Sequence, residues 1–233
     1  MKAIILAGGL GTRLKPFTEV IPKPLLPIGE KSVLQIQIER LKMNGFDEIF
    51  LATNYKSEYI ESFFGDGSRY GVKLKISKED IPLGTAGPLM LLKEQLTEPF
   101  IVMNGDILSL IDFSNLYQFA CCQDSDLTIT IKKEITPFAF GNIFFDGDRV
   151  TGIQEKPDII MYILAGIYVM KPGVFQHFPT QLEYFGMDKL ILKMIKENKP
   201  VKKYELDKYW LDIGRLNDYS EAQKFYNDHL SEN

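Results

Sequence analysis

Near its N-terminus the chain runs through five apolar residues, Ala3-Ile4-Ile5-Leu6-Ala7, and stops on Gly8-Gly9-Leu10-Gly11-Thr12-Arg13. A run with no polar alternation reads as a strand covered on both faces, the environment of a parallel sheet flanked by helices. Three glycines in four positions allow positive φ and leave backbone N–H groups unshielded by a Cβ, so the loop that ends the strand is one able to cradle phosphates. Two common nucleotide signatures do not fit it. The dinucleotide pattern would need a small residue where Leu14 stands and an acid near the end of the second strand, where Thr53 and Asn54 stand. No Gly-Lys-Ser/Thr follows either, which excludes a Walker-type loop.

The rest of the first half alternates short apolar runs with helix-period stretches. Ser32 and Gln35 form a capping box, Leu34, Ile38 and Leu41 make one stripe and Gly45 a stop, which predicts a helix over 33–44. Strands are predicted at 48–52, 72–76 and 100–103 and a short helix at 58–64. A further helix is capped by Thr85, with Leu89, Leu92 and Leu96 on one face. From residue 127 the rhythm changes. A strand at 127–131 precedes a β-hairpin, 142–145 and 150–155 around Asp146-Gly147-Asp148-Arg149. Next come a strand at 163–170 and a helix with Leu190, Ile191, Met194 and Ile195 inside and Lys189, Lys193 and Lys196 outside. A helix at 216–230 closes the chain. The pattern predicts an α/β fold: a doubly wound, mainly parallel, Rossmann-like sheet with helices on both faces and a small β-hairpin subregion, in one domain over 1–233.

Lys plus Arg number 27 and Asp plus Glu 31, a net charge of −4, so the surface as a whole attracts neither nucleic acid nor anionic lipid and an anionic ligand must be captured locally. The N-terminal apolar run is too short for a signal peptide, and no stretch approaches the roughly 18 apolar residues of a membrane span. A cytoplasmic protein is expected. Cys121 and Cys122 are adjacent, which suits neither a disulfide framework nor a metal site, and they are read as reduced packing residues. His177 and His229 are read as surface or packing residues.

Two features point to chemistry. Lys23 stands between Pro22 and Pro24, which limits its backbone freedom, and a cation fixed in this way suits contact with a transferring phosphoryl oxygen. Asp106 follows a predicted strand, at the sheet edge where ligands of open α/β sheets gather, while Asp212 sits in Trp210-Leu211-Asp212-Ile213-Gly214, where an unpaired carboxylate is costly. Either a shared cation or pairing with Arg215 or Lys208 would relieve Asp212. Leu108 occupies the second acidic position of an Asp-x-Asp clamp, so a metal here would be held by distant segments.

The stretch Leu6 to Leu26 resembles the signature of the sugar-nucleotide pyrophosphorylases, the sugar-1-phosphate nucleotidyltransferases. Gly84-Thr85-Ala86-Gly87, Asn104-Gly105-Asp106, Glu155-Lys156-Pro157, Ala165-Gly166-Ile167-Tyr168 and Trp210–Gly214 follow in the family's order, covering about residues 1 to 225. The look is that of the short guanylyltransferases acting on mannose, heptose or glucosamine 1-phosphate, of GT-A-like architecture. The resemblance implies a mainly nucleotide-binding half over 1–126, a mainly sugar-phosphate-binding half over 127–215 and a closing helix, without the C-terminal β-helix domain of longer members. It implies transfer of a nucleotidyl group from a nucleoside triphosphate to a sugar 1-phosphate with release of pyrophosphate.

By the same resemblance Leu6 and Ala7 lead into the phosphate loop Gly8, Gly9, Gly11 and Thr12. Arg13 joins that loop on the β- and γ-phosphates, Lys23 meets the α-phosphate, and Mg2+ sits between Asp106 and Asp212. Gly84 and Thr85 complete the nucleotide site. Lys156 receives the sugar phosphate and Glu155 the sugar hydroxyls, with Gly141 and Gly166 leaving room for the ring. Glu79 is placed to accept from N1–H and N2–H of guanine, which favours GTP; UTP is the alternative. A catalytically silent nucleotide-binding subunit and a glycosyltransferase are the other readings. Leu164 stands where relatives often carry Asn, so the sugar is not set. The sequence is compatible with a homodimer without requiring one.

Overall fold

The computed structural model describes residues 1–9, 11–54 and 56–230. The principal strands, in chain order, are β1 (Lys2–Leu6), β2 (Glu48–Thr53), β3 (Lys73–Lys78), β4 (Phe100–Asn104), β5 (Ile107–Ser109), β6 (Leu127–Pro137), β7 (Asn142–Asp146), β8 (Arg149–Gln154), β9 (Asp158–Met170), β10 (Val201–Glu205) and β11 (Trp210–Asp212). Seven of them form one sheet in the order β10-β6-β9-β4-β1-β2-β3. Every neighbouring pair is parallel except the two made by β9. The mainly parallel sheet expected from the uninterrupted apolar runs is therefore present.

Helices α1 (Val33–Met43), α2 (Ser57–Phe64), α3 (Phe113–Cys121), α4 (Met187–Lys196) and α5 (Leu216–His229) cover it. Alternate residues of β1 divide between two cores. Ala3 and Ile5 pack with Leu34, Ile38, Ile60 and Leu116 on one face, and Ile4 packs with Leu89, Leu92, Leu190 and Met194 on the other. A third cluster, with Ile28, Leu108, Ile213 and Tyr226, seats α5.

Helix α1 starts and stops for the reasons read from its sequence, with one amendment. Ser32 Oγ accepts from the Gln35 N–H at 3.1 Å, but the Gln35 amide donates to Glu39 Oε1 at 2.8 Å instead of returning to Ser32, so only half of the capping box forms. At the other end Gly45 takes φ +84°, and the N–H groups of Gly45 and Phe46 bond to the carbonyls of Lys42 and Leu41.

Other expectations are corrected. Gly87–Gln95 is a 3₁₀ helix whose N-cap, Ala86, gives no side-chain cap, while Thr85 Oγ1 accepts at 2.8 Å from the N–H of Met187 in α4. Leu89, Leu92 and Leu96 are nonetheless buried: Leu89 and Leu92, three residues apart, align on the 3₁₀ helix, and Leu96 is its C-cap. In α4 the buried residues are Met187, Leu190, Ile191 and Met194, and Ile195 is 56% exposed. Cys121 and Cys122 are free and exposed at the end of α3 and pack into neither core.

Strand β6 runs six residues past its expected end and β9 begins five residues earlier than expected, and together with the hairpin β7–β8 they make a projecting arm. Strand β9 bulges between Leu164 and Tyr168, around Gly166 at φ +70°. Strands β5 and β11 pair separately and antiparallel, with Asp212 opposite Ile107. Among the described residues no helix is long and apolar enough to cross a membrane.

Candidate active site

The carboxyl ends of β1, β2 and β4 open onto a cleft of about 540 Å³, lined by Leu6, Gly8, Gly9, Gly11, Thr12, Glu79, Gly84, Thr85, Asn104 and Asp106, with Tyr184 at its rim. Ala7, buried below it, donates its N–H to Ala52 O at 2.7 Å, and Gly105 N–H bonds to Leu6 O at 2.9 Å, which ties the loop to its neighbours. Gly11 sits at φ +61°, and a Cβ there would lie 2.8 Å from Thr18 Cγ2 and 3.1 Å from Lys23 Cβ. Only glycine therefore allows the loop to rest on the segment that carries Lys23. A Cβ on Gly9 would meet nothing within 4 Å, so that stretch of backbone faces open space. Leu10 lies outside the described residues.

The opposite wall is stitched to the α4 region. Gly84 takes φ +81°, and the N–H groups of Ala86 and Gly87 both bond to Phe185 O at 2.9 Å. Glu79, 7% exposed, follows β3 and closes the inner end of the cleft. Its Oε2 accepts from the Leu83 N–H at 2.9 Å, and Oε1 comes within 3.3 Å of where a Cβ on Gly8 would stand. Burial raises the pKa of this carboxyl and the Leu83 N–H opposes the shift. A ligand edge carrying two adjacent N–H donors would supply what burial withholds from it.

Beside the cleft lies a charged cluster. The Ile213 N–H bonds to Asp106 O at 3.0 Å, and the β5–β11 pairing sets Asp212 opposite Ile107, so carboxylates 106 residues apart in sequence share one edge. Lys23, with a side chain 10% exposed, forms an ion pair with Asp106 Oδ2. The other carboxylate oxygen, Asp106 Oδ1, and Asp212 Oδ1 are both buried without a hydrogen-bond partner among the described residues. Neither Arg215 nor Lys208 pairs with Asp212. Burial raises the Asp212 pKa, nearby Asp106 adds to the rise, and Lys23 and Arg13 act against it. The Arg13 guanidinium lies against Gly214, where a Cβ would be 3.5 Å from both of its terminal nitrogens and 3.4 Å from Asp212 Oδ1.

Two unpartnered buried carboxylate oxygens are the donors that a hard divalent cation takes. Among the described residues no group of three or more His, Cys, Asp or Glu is placed to hold a metal ion, so Asp106 and Asp212 would hold one with the remaining positions left to water and phosphate oxygens.

The sugar-side residues are not drawn into this cleft. Glu155 and Lys156 are exposed at the foot of the hairpin, Lys156 in a left-handed conformation at φ 45°. Gly141 shares their neighbourhood, since a Cβ there would stand 3.0 Å from Glu155 Oε2. Gly166 has another reason to be glycine. Its positive φ and the 2.7 Å separation a Cβ would have from Asn104 Nδ2 require glycine beneath the β4 end.

Sequence reasoning overlooked Gln37. It is 3% exposed on α1, and its amide donates to Asn104 O at 2.9 Å and Ile107 O at 2.8 Å, clamping the turn that presents Asp106. A glutamine inside the apolar stripe of a helix was the available signal.

The fold agrees with what the chain is similar to. It is 36% identical over 234 residues to the mannose-1-phosphate guanylyltransferase catalytic subunit beta of Danio rerio, a match covering 97% of this chain and 64% of that protein. It is 35% identical over 239 residues to mannose-1-phosphate guanylyltransferase 1 of Arabidopsis thaliana, covering 99% of this chain and 66% of that one. The chain thus spans a little under two thirds of these curated relatives. Among solved structures, HddC from Yersinia pseudotuberculosis superposes with a TM-score of 0.75 at 30% identity, over 97% of this chain and 99% of that one. The same protein complexed with GMP-PN gives 0.73 at 28% identity. With the nucleotidyl transferase family matching residues 2–229, the chain belongs to that family.

Proposed function

We propose that the protein transfers a guanylyl group from GTP to a sugar 1-phosphate, giving a GDP-sugar and pyrophosphate, with Mg2+ as its cofactor. The observation that carries this reading is the meeting of Asp106, Asp212, Lys23 and Arg13 beside a glycine-loop cleft. The family relationship and the guanylyltransferase relatives support the same reaction.

The two substrates bring about six negative charges, which repel one another until they are screened. Backbone N–H groups of the Gly8–Thr12 loop, with Arg13, bind the β- and γ-phosphates. Lys23 exchanges its Asp106 partner for an α-phosphate oxygen and stabilises charge as it grows there. Asp106 and Asp212 would hold Mg2+, which would supply further charge neutralisation at the phosphates. Lys156 binds the sugar phosphate and Glu155 the sugar hydroxyls, carried on an arm outside the nucleotide cleft. The attacking phosphate oxygen is already ionised, so no protein base is required and positioning is the protein's main task.

Glu79 supports guanine. A buried carboxylate that already holds one backbone donor can accept N1–H and N2–H of guanine, whereas uracil presents one donor. A cytoplasmic location is part of the same proposal. A matrix of four or five triphosphates against mannose, hexosamine and heptose 1-phosphates, read by pyrophosphate release, tests base and sugar together. Release with GTP and one sugar class is expected. Release only with UTP would overturn the guanine assignment. No release, with glycosylation of an acceptor from a nucleotide sugar, would overturn the reaction.

A further inference from the structure

We infer that Tyr184 is the platform on which the nucleotide base stacks and that its ring, together with Glu79, favours a purine, a role that rests on the cleft being a nucleotide site. The cleft lining is of two kinds. Gly8, Gly9, Gly11, Thr12 and Asp106 offer backbone N–H groups, a hydroxyl and charge, which suit phosphates and their cation. Ala52, Pro82, Leu83 and Pro88 add apolar surface that a phosphate does not use and a flat ring does.

Glu79 and Tyr184 meet at that apolar part. Glu79 Oε2 accepts from the Leu83 N–H at 2.9 Å, and a Cβ on the next residue, Gly84, would stand 3.3 Å from Tyr184 Cζ. The carboxylate and the phenol therefore address consecutive residues, whose Cα atoms lie about 3.8 Å apart, and one ligand ring can present its edge to Glu79 and its face to Tyr184.

Tyr184 is 60% exposed, which alone carries nothing, because single exposed aromatic side chains are ordinary. Its backbone, however, is fixed on both sides. The Phe185 N–H bonds to Leu83 O at 2.9 Å, Phe185 O accepts from Ala86 and Gly87, and the Met187 N–H is held by Thr85 Oγ1. Phe185 itself turns into the core, 5.5 Å from Phe178 between ring centres. The phenol is thus carried on a wall stitched to α4, and only its two side-chain torsions remain to be ordered by a ligand. Lys189 Nζ stands over the ring, 5.4 Å from its centre, and takes no part in the cleft lining. The cation covers the outer face of the ring and leaves the inner face to the base. Stacking serves any base, but overlap grows with the ring system, so a purine gains more than a pyrimidine.

The test is titration calorimetry with GTP, UTP and inorganic triphosphate, in magnesium, on the wild-type chain, Tyr184→Ala and Tyr184→Phe. Inorganic triphosphate carries the phosphates without a base. Tyr184→Ala should raise the dissociation constant for GTP about 10-fold or more, raise that for UTP by less and leave that for inorganic triphosphate unchanged, while Tyr184→Phe stays within about 2-fold of wild type. In Tyr184→Trp, GTP should quench the added indole fluorescence beyond any change of Trp210 in the wild-type chain, and inorganic triphosphate should not. GTP affinity unaltered in Tyr184→Ala, or no added quench in Tyr184→Trp with GTP bound, would overturn the inference and leave the nucleotide site standing. A loss shared equally by inorganic triphosphate would overturn it as well, because the substitution would then have distorted the cleft as a whole. An equal loss with UTP would refute the purine preference. A wild-type chain that binds GTP no more tightly than inorganic triphosphate would overturn both the platform and the nucleotide site.

Discussion

Asp212→Asn separates what the site costs the fold from what it does in the reaction. The substitution keeps the shape of the side chain and removes one negative charge. In the folded chain that carboxylate is half-buried, adjoins Asp106 and keeps a buried Oδ1 without a partner. A neutral amide removes the like-charge repulsion, so the variant should be more stable at neutral pH by about 0.5–2 kcal/mol, the usual range for relief at a functional site. For a chain of 233 residues that is a rise in Tm of roughly 1–8 °C. The sign with pH follows from the raised pKa of Asp212. The wild-type penalty is full above that raised pKa and vanishes as pH falls below the ordinary aspartate range, so the variant's advantage should shrink on acidification. Activity should move the other way, with magnesium-dependent pyrophosphate release lower by on the order of 10²–10³ in kcat/KM. Magnesium should raise the Tm of the wild-type chain and leave the variant unaffected. Thermal denaturation across pH, paired with the release assay, reads both effects. A variant less stable than wild type at neutral pH would show that the Asp212 charge does not burden the fold, and one with wild-type turnover would remove Asp212 from the reaction.

Lys23→Ala should lower turnover by on the order of 10²–10³ through loss of charge stabilisation at the α-phosphate, read by steady-state pyrophosphate release; near-normal turnover would remove Lys23 from the mechanism. Glu79→Gln should weaken GTP binding and flatten its pH dependence. In the wild-type chain KM for GTP should rise as pH falls through the raised carboxyl pKa, because the protonated group no longer accepts two donors, and an unchanged pH profile in the variant would contradict the role. Gln37→Leu leaves the carbonyls of Asn104 and Ile107 without their side-chain donor and should cost about 1–3 kcal/mol, seen as a lower urea midpoint with an unchanged m-value. An unaltered midpoint would show that these two bonds do not hold the turn.

The core of the fold was legible wherever burial was continuous in sequence. Strands β1, β2 and β4 are apolar runs bounded by glycine, proline or asparagine, and they lie within a residue or two of their expected places. Thr85 shows how local reading fails, because a hydroxyl one turn before a leucine stripe looks like a cap, but the donor it satisfies belongs to Met187, 102 residues away. The arm was missed for a related reason. Lys132, Lys133 and Glu134 break the apolar pattern after Ile131, while their cross-strand partners Ile163, Tyr162 and Met161 supply the strand character from the other side of the pair.

At the site, the chemistry of Asp106 and Asp212 suggested a common ligand, and the glycines announced the loop. The β5–β11 register that joins the two carboxylates has no local signature, being three residues on each side. Gln37 acts only through carbonyls that folding brings to it. Gly166, assigned to the sugar, packs closely against Asn104, a contact that only the fold reveals.

Asp106 and Asp212 are proposed to act as one cation site. Manganese binding in the presence of GTP, followed by electron paramagnetic resonance across the wild-type chain, Asp106→Asn, Asp212→Asn and the double variant, reads that site. One ion per wild-type chain is expected, with a large loss of affinity in either single variant and little further loss in the double, because two ligands of one ion fail together. Affinity unchanged in either single variant, or losses that simply add, would contradict it.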